Sequence, residues 1–352
     1  METKTYKLDS LCEITSSKRV FYSEYTESGI PFFRSKEIID LFNKNNITTE
    51  LFISKDRYNE IKNKFGVPEK DDMLLTSVGS IGIPYLVKSS DKFYFKDGNL
   101  TWFRNYNRKL IVPLYLYLWT TSSVGKETLM RLSMGAAQPA LTISRLKNLS
   151  LNLPSVSVQQ KISSILSSYD RLIENNTHRI RLLEQMAENL YKEWFVRFRF
   201  PEHENVEMVN GLPKGWKINS LKEICEFKRG RNITSAEMCD GIIQVISAGV
   251  APSGYHNKAN VHGVSVTMSS SGANAGYISI HYDDIWAADC SYISEKETED
   301  IYYVYELLNN IRQVINNFQI GAAQPHVYPK DINRIKTCVP PKELRIKANN
   351  NL

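Results

Sequence analysis

The chain has 352 residues, 42% of them hydrophobic and 23% charged, with a formal net charge of +6 at pH 7. That length suits about two domains with cores of their own, and the composition excludes a mainly disordered chain. The longest apolar run, Ile111–Trp119, is far short of the ~20 residues of a membrane span, and the opening METKTYKLDS has no apolar signal-peptide core. A cytoplasmic protein with no membrane partner is expected. Five scattered cysteines (Cys12, Cys225, Cys239, Cys290 and Cys338) with no C-x-x-C pair exclude a disulfide framework and the usual zinc spacings. The charge is uneven: residues 1–154 carry +6, residues 155–199 carry +2 and residues 200–352 carry −2. A basic first half permits a polyanionic partner without proving one.

The first landmark in chain order is YKLDSLCEITSSKR, Tyr6–Arg19, which returns as WKINSLKEICEFKR, Trp216–Arg229, at an offset of 210 residues. DDMLLTSVGSIGIPYLV (Asp71–Val87) then reads as strand, Gly-rich turn and strand, and KFYFKDGNLTWFR (Lys92–Arg104) as a further strand carrying Asp97. A helical stretch at Leu114–Met134 precedes Gly135-Ala-Ala-Gln-Pro139 and a Leu-Pro step at Pro154. The same order recurs as VSVTMSSSGANAGYISI (Val264–Ile280), DIWAADCSYISE (Asp284–Glu295, with Asp289) and a helical stretch at Tyr302–Phe318. Gly321-Ala-Ala-Gln-Pro325, at an offset of 186, and a Val-Pro step at Pro340 complete the second copy. The chain is a duplication of the α+β class, with two tandem mixed α/β domains. Matching ends around unlike middles suit one scaffold carrying two recognition surfaces.

Between the copies, Ser157 to about Phe198 holds neither Gly nor Pro and is framed by Pro154 and Pro201. Ser157-Val-Gln-Gln160 has the form of a capping box. Ile162, Ile165, Leu166, Tyr169, Leu172, Ile173, Ile180, Leu183, Met186, Leu190 and Trp194 keep heptad-like spacing. Asn176 falls on an a position, where a buried amide penalises wrong register. About 40 helical residues at 1.5 Å each make a rod of roughly 60 Å. Such a helix either packs along its own domain or finds a coiled-coil partner, and the spacing favours the partner.

This layout resembles the specificity subunit of type I restriction–modification systems over nearly the whole chain. The residues that carry the resemblance are WKINSLKEI (Trp216–Ile224), both GAAQP segments, LNLPSVSVQQKISSIL (Leu151–Leu166) and LLEQMAENLYKEWF (Leu182–Phe195), then FPEHEN and LPKGWK. The resemblance implies target-recognition domains at 1–154 and 200–340, a conserved coiled-coil helix at 155–199, and the start of a distal helix at 341–352. It implies that each domain reads one half of a bipartite site in double-stranded DNA, while the helix spaces them and docks adenine methyltransferase subunits. Those subunits would carry S-adenosylmethionine, and a motor-nuclease restriction subunit would use ATP and Mg. No cofactor is implied for this chain itself. Only KELRIKANNNL follows Pro341, so in this reading the distal helix that usually pairs with the first is cut short. A second specificity chain would then supply the missing helix. The alternative is a truncated or donor chain that binds DNA or self-associates without assembling an active complex.

The search for catalytic residues is negative. The Asn/Asp-Pro-Pro-Tyr/Phe step of adenine methyltransferases has no counterpart at Pro340-Pro341. Val124-Gly-Lys-Glu127 lacks the earlier Gly and the Ser/Thr of a phosphate loop, and His281-Tyr-Asp-Asp284 lacks the helical pairing of a metal site. A non-enzymatic chain with no metal is expected. For DNA, Lys18, Arg19, Lys228 and Arg229, at matching positions under the 210 offset, and the neighbouring Arg231 are either phosphate contacts or solvated surface. The turns that hold Ser77, Gly79 and Ser80, and Gly272 and Asn274, either bring bare backbone close to DNA or simply close hairpins. Gln138 and Gln324 are identical in the two copies, which suits a shared contact and not discrimination between half-sites. Specific reading is expected from positions where the copies differ: Arg34, Lys36, Ser247, Tyr255, His256 and Asn274.

Overall fold

Lys4–Lys7 pairs antiparallel with Ser150–Leu153, and Lys217–Ser220 pairs antiparallel with Lys336–Val339. Each pairing joins the first strand of one copy to its last. The computed structural model describes residues 2–45, 47–134, 139–318 and 325–352. Its contacts divide the chain into two units, Met1–Asn175 and Asn176–Leu352.

The main sheet of the first unit runs in the order Glu13–Thr15, Leu100–Arg104, Met73–Thr76, Pro84–Leu86, antiparallel throughout. Side chains alternate across it. Met73, Leu75 and Phe103 face Leu116 and Leu129 on one side, while Leu74, Leu100 and Trp102 meet Phe33, Ile38 and Phe95 on the other. A second sheet orders Tyr25–Thr26, Phe52–Ile53, Ile30–Phe33 and Tyr94–Phe95, and its last pair is parallel. The second unit repeats this plan. Lys228–Arg229, Cys290–Ser294, Ser265–Ser269 and Ile278–His281 form the antiparallel sheet, with Val266, Met268 and Ile293 packed on Val304, Leu307 and Leu308. Gly254–His256, Ile243–Ile246 and Ile285–Ala287 form the other sheet, again ending in a parallel pair. Asp97 and Asp289, expected within strands, lie in the turns between Tyr94–Phe95 and Leu100–Arg104 and between Ile285–Ala287 and Cys290–Ser294.

The pairing corrects the register of the duplication. Lys4 faces Leu153 and Lys217 faces Val339, so partners offset by 186 residues bind strands offset by 213, not 210. Hydrogen bonds agree: Leu8 N donates to Leu149 O and Leu221 N to Ile335 O, both at 2.8 Å. The buried residues Leu8, Leu11, Cys12 and Ile14 therefore correspond to Leu221, Ile224, Cys225 and Phe227, all buried as well. The three-residue error has a physical source. Leu8, Leu11 and Ile14 recur every third residue, so sliding one copy by three still lays Leu11 on Leu221 and Ile14 on Ile224.

Two expected helices are each broken in two. Leu114–Met134 forms Pro113–Thr121 and Ser123–Ser133, because Ser122 accepts from Gly125 N (3.0 Å) and caps a new helix. Tyr302–Phe318 forms Ile301–Asn310 and Arg312–Asn316. The central helix spans Val156–Tyr191 and continues as a π-helical turn, Lys192–Val196. Phe198 adopts a left-handed backbone (φ +57°), so the helix stops short of the expected Phe198. The capping box at Ser157–Gln160 does not form, since the helix has already begun at Val156. Gln159 holds the start instead: it is fully buried, donates to Leu110 O (2.9 Å) and Pro154 O (3.0 Å), and accepts from Val112 N (3.0 Å). Val112 is the residue that caps helix Pro113–Thr121.

At the offset of 186, Gln159 corresponds to Arg345, which lies on helix Lys342–Asn349. Arg345 is buried and bonds the carboxylate of Asp300, the residue that caps Ile301–Asn310. Asn349 accepts from Tyr302 N at 2.9 Å on the same helix start. The far end of the central helix is anchored by rings, with Tyr191 and Phe195 centred 5.7 and 4.8 Å from Tyr303. Among the described residues no helix is long and apolar enough to cross a membrane.

Two outcomes follow. Arg345→Ala strands Asp300 in the core and is expected to cost about 3–5 kcal/mol in urea denaturation; a change below 1 kcal/mol would contradict the anchoring role. Glu306, 7% exposed, has its carboxyl raised from the usual 4.5 to about 7 by burial and by the charges of Glu188 and Glu184. The folded chain thus keeps a proton that the unfolded chain has lost, and stability should fall as pH rises from about 4.5 to 7. Glu306→Gln is expected to remove that fall and to stabilise the protein at pH 8 by on the order of 1–3 kcal/mol. Parallel urea curves for both proteins at pH 5 and pH 8 read this directly.

Candidate nucleic-acid interface

The fold gathers four stretches that lie far apart in sequence. In the first unit, Ser77 N donates to Asn99 O (2.8 Å), Leu141 N donates to Ser77 O (2.9 Å), and Gly98 N donates to Ser16 Oγ (3.4 Å). The segment after Glu13–Thr15, the Gly-rich turn, the Asp97 turn and the residues after Pro139 therefore meet. The second unit does the same. Val327 N bonds Ser270 O (3.0 Å), Gly272 N bonds Pro325 O (3.0 Å), and Gly230 N bonds Cys290 O (2.8 Å). Gly79 and Gly272 hold φ +77° and +76°, and a Cβ at either would meet open space. Each presents bare backbone to solvent in a conformation that other residues avoid. Gln138 and Gln324, with the rest of Gly135–Gln138 and Gly321–Gln324, lie outside the described residues.

The basic candidates are exposed, and most have carboxylate partners. Arg19 bonds Asp97 (3.1 Å), Arg229 bonds Asp289 (3.2 Å) and Lys228 bonds Glu297 (3.0 Å). The ammonium of Lys18 sits 5.2 Å from the Phe65 ring centre. Arg231 is exposed, and its carbonyl accepts from Trp286 Nε1 (2.9 Å). Under the corrected register Arg231 matches Lys18, while Arg229 replaces Ser16 and Lys228 replaces Thr15, so the pairs that the 210 offset matched are not positional equivalents.

Several candidates for direct reading serve the fold instead. Arg34 caps helix Ser35–Phe42 through Glu37, which accepts from its backbone N (2.7 Å) and its Nη2 (2.9 Å). Burial raises the Glu37 carboxyl, but these bonds outweigh it and hold the group below the usual range. Ser77 is buried and shares a 2.6 Å hydrogen bond with Thr101, so its hydroxyl does not face a phosphate. His256 is buried edge-on against Trp286 and accepts from Cys239 N (3.3 Å). Ser247 bonds Ser253 at 3.0 Å. Lys36, Ser80, Tyr255 and Asn274 are exposed.

Two clefts were not legible in the sequence. The first unit has a cavity of about 210 Å³ bounded by Lys18, Phe65, Trp102 and Arg104, with the Arg104 guanidinium 4.4 Å from the Trp102 ring centre. Beneath it, Trp102 Nε1 donates to Asp72 (2.9 Å), whose carboxyl burial pushes up to about 6. The second unit has a cavity of about 190 Å³ bounded by Gln244, Thr267, Ser269, Ser279 and His281. Thr267 and His281 bond each other at 2.8 Å, and burial lowers the His281 imidazole, which favours its neutral form. One cleft is cationic and aromatic; the other is uncharged, with a hydroxyl- and imidazole-bearing floor and an apolar wall of Ile246, Val250, Ala251 and Pro252.

On the central helix, Leu166, Tyr169, Leu172, Ile173, Asn176, Ile180, Leu183 and Met186 are exposed, whereas Ile162, Leu190 and Trp194 are half-buried. Among the described residues no group of three His, Cys, Asp or Glu could hold a metal ion.

Duplicated mixed sheets, a long helix with an apolar stripe, and turns that present bare backbone beside arginines define a two-unit recognition protein. The profile of the type I restriction modification DNA specificity domain matches residues 1–185 and 213–344, and the chain belongs to that family. It is 34% identical over 174 residues to the MjaIX type I restriction enzyme specificity subunit of Methanocaldococcus jannaschii, a match covering 48% of this chain and 39% of that protein. It is 26% identical over 190 residues to a putative type I restriction enzyme specificity subunit of Haemophilus influenzae, covering 54% and 46%. These matches span less than half the length of either relative. The crystal structure of the type I restriction-modification S subunit from M. genitalium shares the fold, with a TM-score of 0.68 at 19% identity over 99% of this chain and 88% of that one.

Proposed function

We propose that the chain is the DNA sequence-recognition subunit of a type I restriction–modification complex. Each unit reads one half of a bipartite duplex site, and the central helix spaces the units and docks adenine methyltransferase subunits. The observation that carries this reading is the recurrence, in a member of a DNA specificity family, of one interface plan around two chemically unlike clefts. The shared parts suit what is common to all DNA. The side chains of Lys18, Arg19, Arg229 and Arg231 suit phosphate oxygens, and the bare turns at Gly79 and Gly272 let the backbone approach them closely. The unlike parts suit base edges: in the second unit the exposed Gln244 suits adenine, while in the first Arg104, held by Glu13 and Phe65 O, keeps the cleft cationic.

The chemistry belongs to partners. The methyltransferase subunits hold S-adenosylmethionine, and a motor-nuclease subunit uses ATP and Mg. The exposed side chains of Leu166, Tyr169, Leu172, Ile180, Leu183 and Met186 form the docking stripe, for methyltransferase subunits or a helix of a second specificity chain.

Binding of the full chain to a mixed-sequence duplex of about 40 base pairs should weaken steeply with KCl, with a log–log slope of about −0.9 per phosphate contacted. Binding insensitive to salt would contradict the reading. Removing one heptad from the middle of the central helix should change the preferred gap between half-sites. An unchanged gap would end the spacer role.

A further inference from the structure

In each unit an arginine at or just beyond the end of the first strand of the main sheet, Arg229 as its last residue and Arg19 four residues past it, is bound to an aspartate of the turn after the parallel strand. Arg19 Nε lies 3.1 Å from Asp97 Oδ2, and Arg229 Nη2 lies 3.2 Å from Asp289 Oδ1. The two pairs are not copies of each other. Arg229 stands where the first unit has Ser16, and Asp289 stands where it has Asn99, whose carbonyl accepts from the Gly-turn serine just as Asp289 O does. The units reach the same pairing from different positions.

Stability alone gives little reason for that recurrence. The arginine side chains are 67% and 48% exposed, and exposed ion pairs contribute little. Geometry offers a better one. Each carboxylate takes a single N–H of a guanidinium that has five, and among the described residues neither guanidinium makes another hydrogen bond. The remaining donors are left together on a fork of fixed orientation. In the second unit Asp289 also accepts from Ser271 Oγ (2.6 Å), next to the bare backbone of Gly272. One carboxylate thus sets both the arginine and the turn.

We infer that Asp97 and Asp289 are positioning residues that aim Arg19 and Arg229 at phosphates of the bound duplex. A side chain already held loses less freedom on binding than one that is loose. The inference rests on the DNA-reading role proposed above.

Charge by itself predicts the opposite effect. Neutralising an aspartate beside DNA removes a repulsion and should tighten binding. Asp97→Asn and Asp289→Asn keep the shape and lose the charge. The full chain is titrated into a fluorescein-labelled mixed-sequence duplex of about 40 base pairs at several KCl concentrations. Each variant is expected to bind roughly 3- to 10-fold more weakly, with a salt slope smaller by about one. Arg229→Ala should cause a similar loss, and Arg229→Ala with Asp289→Asn should lose no more than either change alone. Variants that bind as tightly as the unaltered chain or tighter, or losses that add, overturn the inference. So does weaker binding with an unchanged slope and a lowered melting temperature, which would mark a structural role. If the unaltered chain does not bind duplex at all, the DNA-reading role itself has failed.

Discussion

The antiparallel pairing of first strand with last is the constraint on which each unit depends. Lys4–Lys7 on Ser150–Leu153, and Lys217–Ser220 on Lys336–Val339, bring together segments separated by most of a unit. That closure puts a Pro directly after the last strand, at Pro154 and at Pro340, so the strand ends and a helix begins. The helix start is then tied to the helix it meets. Gln159 does so through backbone groups around Val112, and Arg345 does so through Asp300. The same closure delivers the residues after each GAAQP segment to the Gly-rich turn, where Ala140 bridges Val78 and His326 bridges Ser271.

On that common frame the two units differ at their clefts. Strand register makes Leu74 the counterpart of Thr267, Trp102 that of Tyr292 and Tyr85 that of Ser279. In the first unit most of this sheet face is sealed by Phe33, Ile38 and Phe95, and the open cleft is confined to the part where Trp102 and Arg104 meet Lys18 and Phe65. In the second unit the same face is small and polar and opens into the cleft beside Gln244. Changing a buried apolar face to a hydroxyl-lined one weakens packing, and the second unit keeps its core on the opposite face, around Val266, Met268 and Ile293. Matching scaffolds with unlike clefts suit the bipartite target proposed above.

The duplication, the α+β class and the long helix were legible because each rests on local pattern. The Gly-rich hairpins at Asp71–Val87 and Val264–Ile280 formed as their alternation implied. What was illegible depended on pairing between distant segments. Seven identities favoured the 210 offset, yet Lys18, Arg19, Lys228 and Arg229 are exposed and free to drift, while buried Cys12 and Cys225 keep the 213 register. Arg34 and His256 were reasonable readers by residue type, but one neutralises the buried Glu37 and the other fills a gap against Trp286. Arg104 and Gln244 carried no local signal, since both sit on ordinary strands and gain meaning only from the cleft across the sheet. Asp97, Asp289, Arg19 and Arg229 all stood out in sequence, but nothing local showed that they pair.

The central claim is that each unit carries its own reading surface, and selection of duplexes from a random-sequence pool tests it most directly. The pool is selected with the full chain and with a Thr267→Leu, Ser279→Tyr variant, which fills the second cleft with the first unit's residues. The account predicts two short enriched segments at a fixed gap for the unaltered chain, and loss of one segment with retention of the other for the variant. A single uninterrupted motif, or loss of both segments from a variant that remains folded, would contradict it.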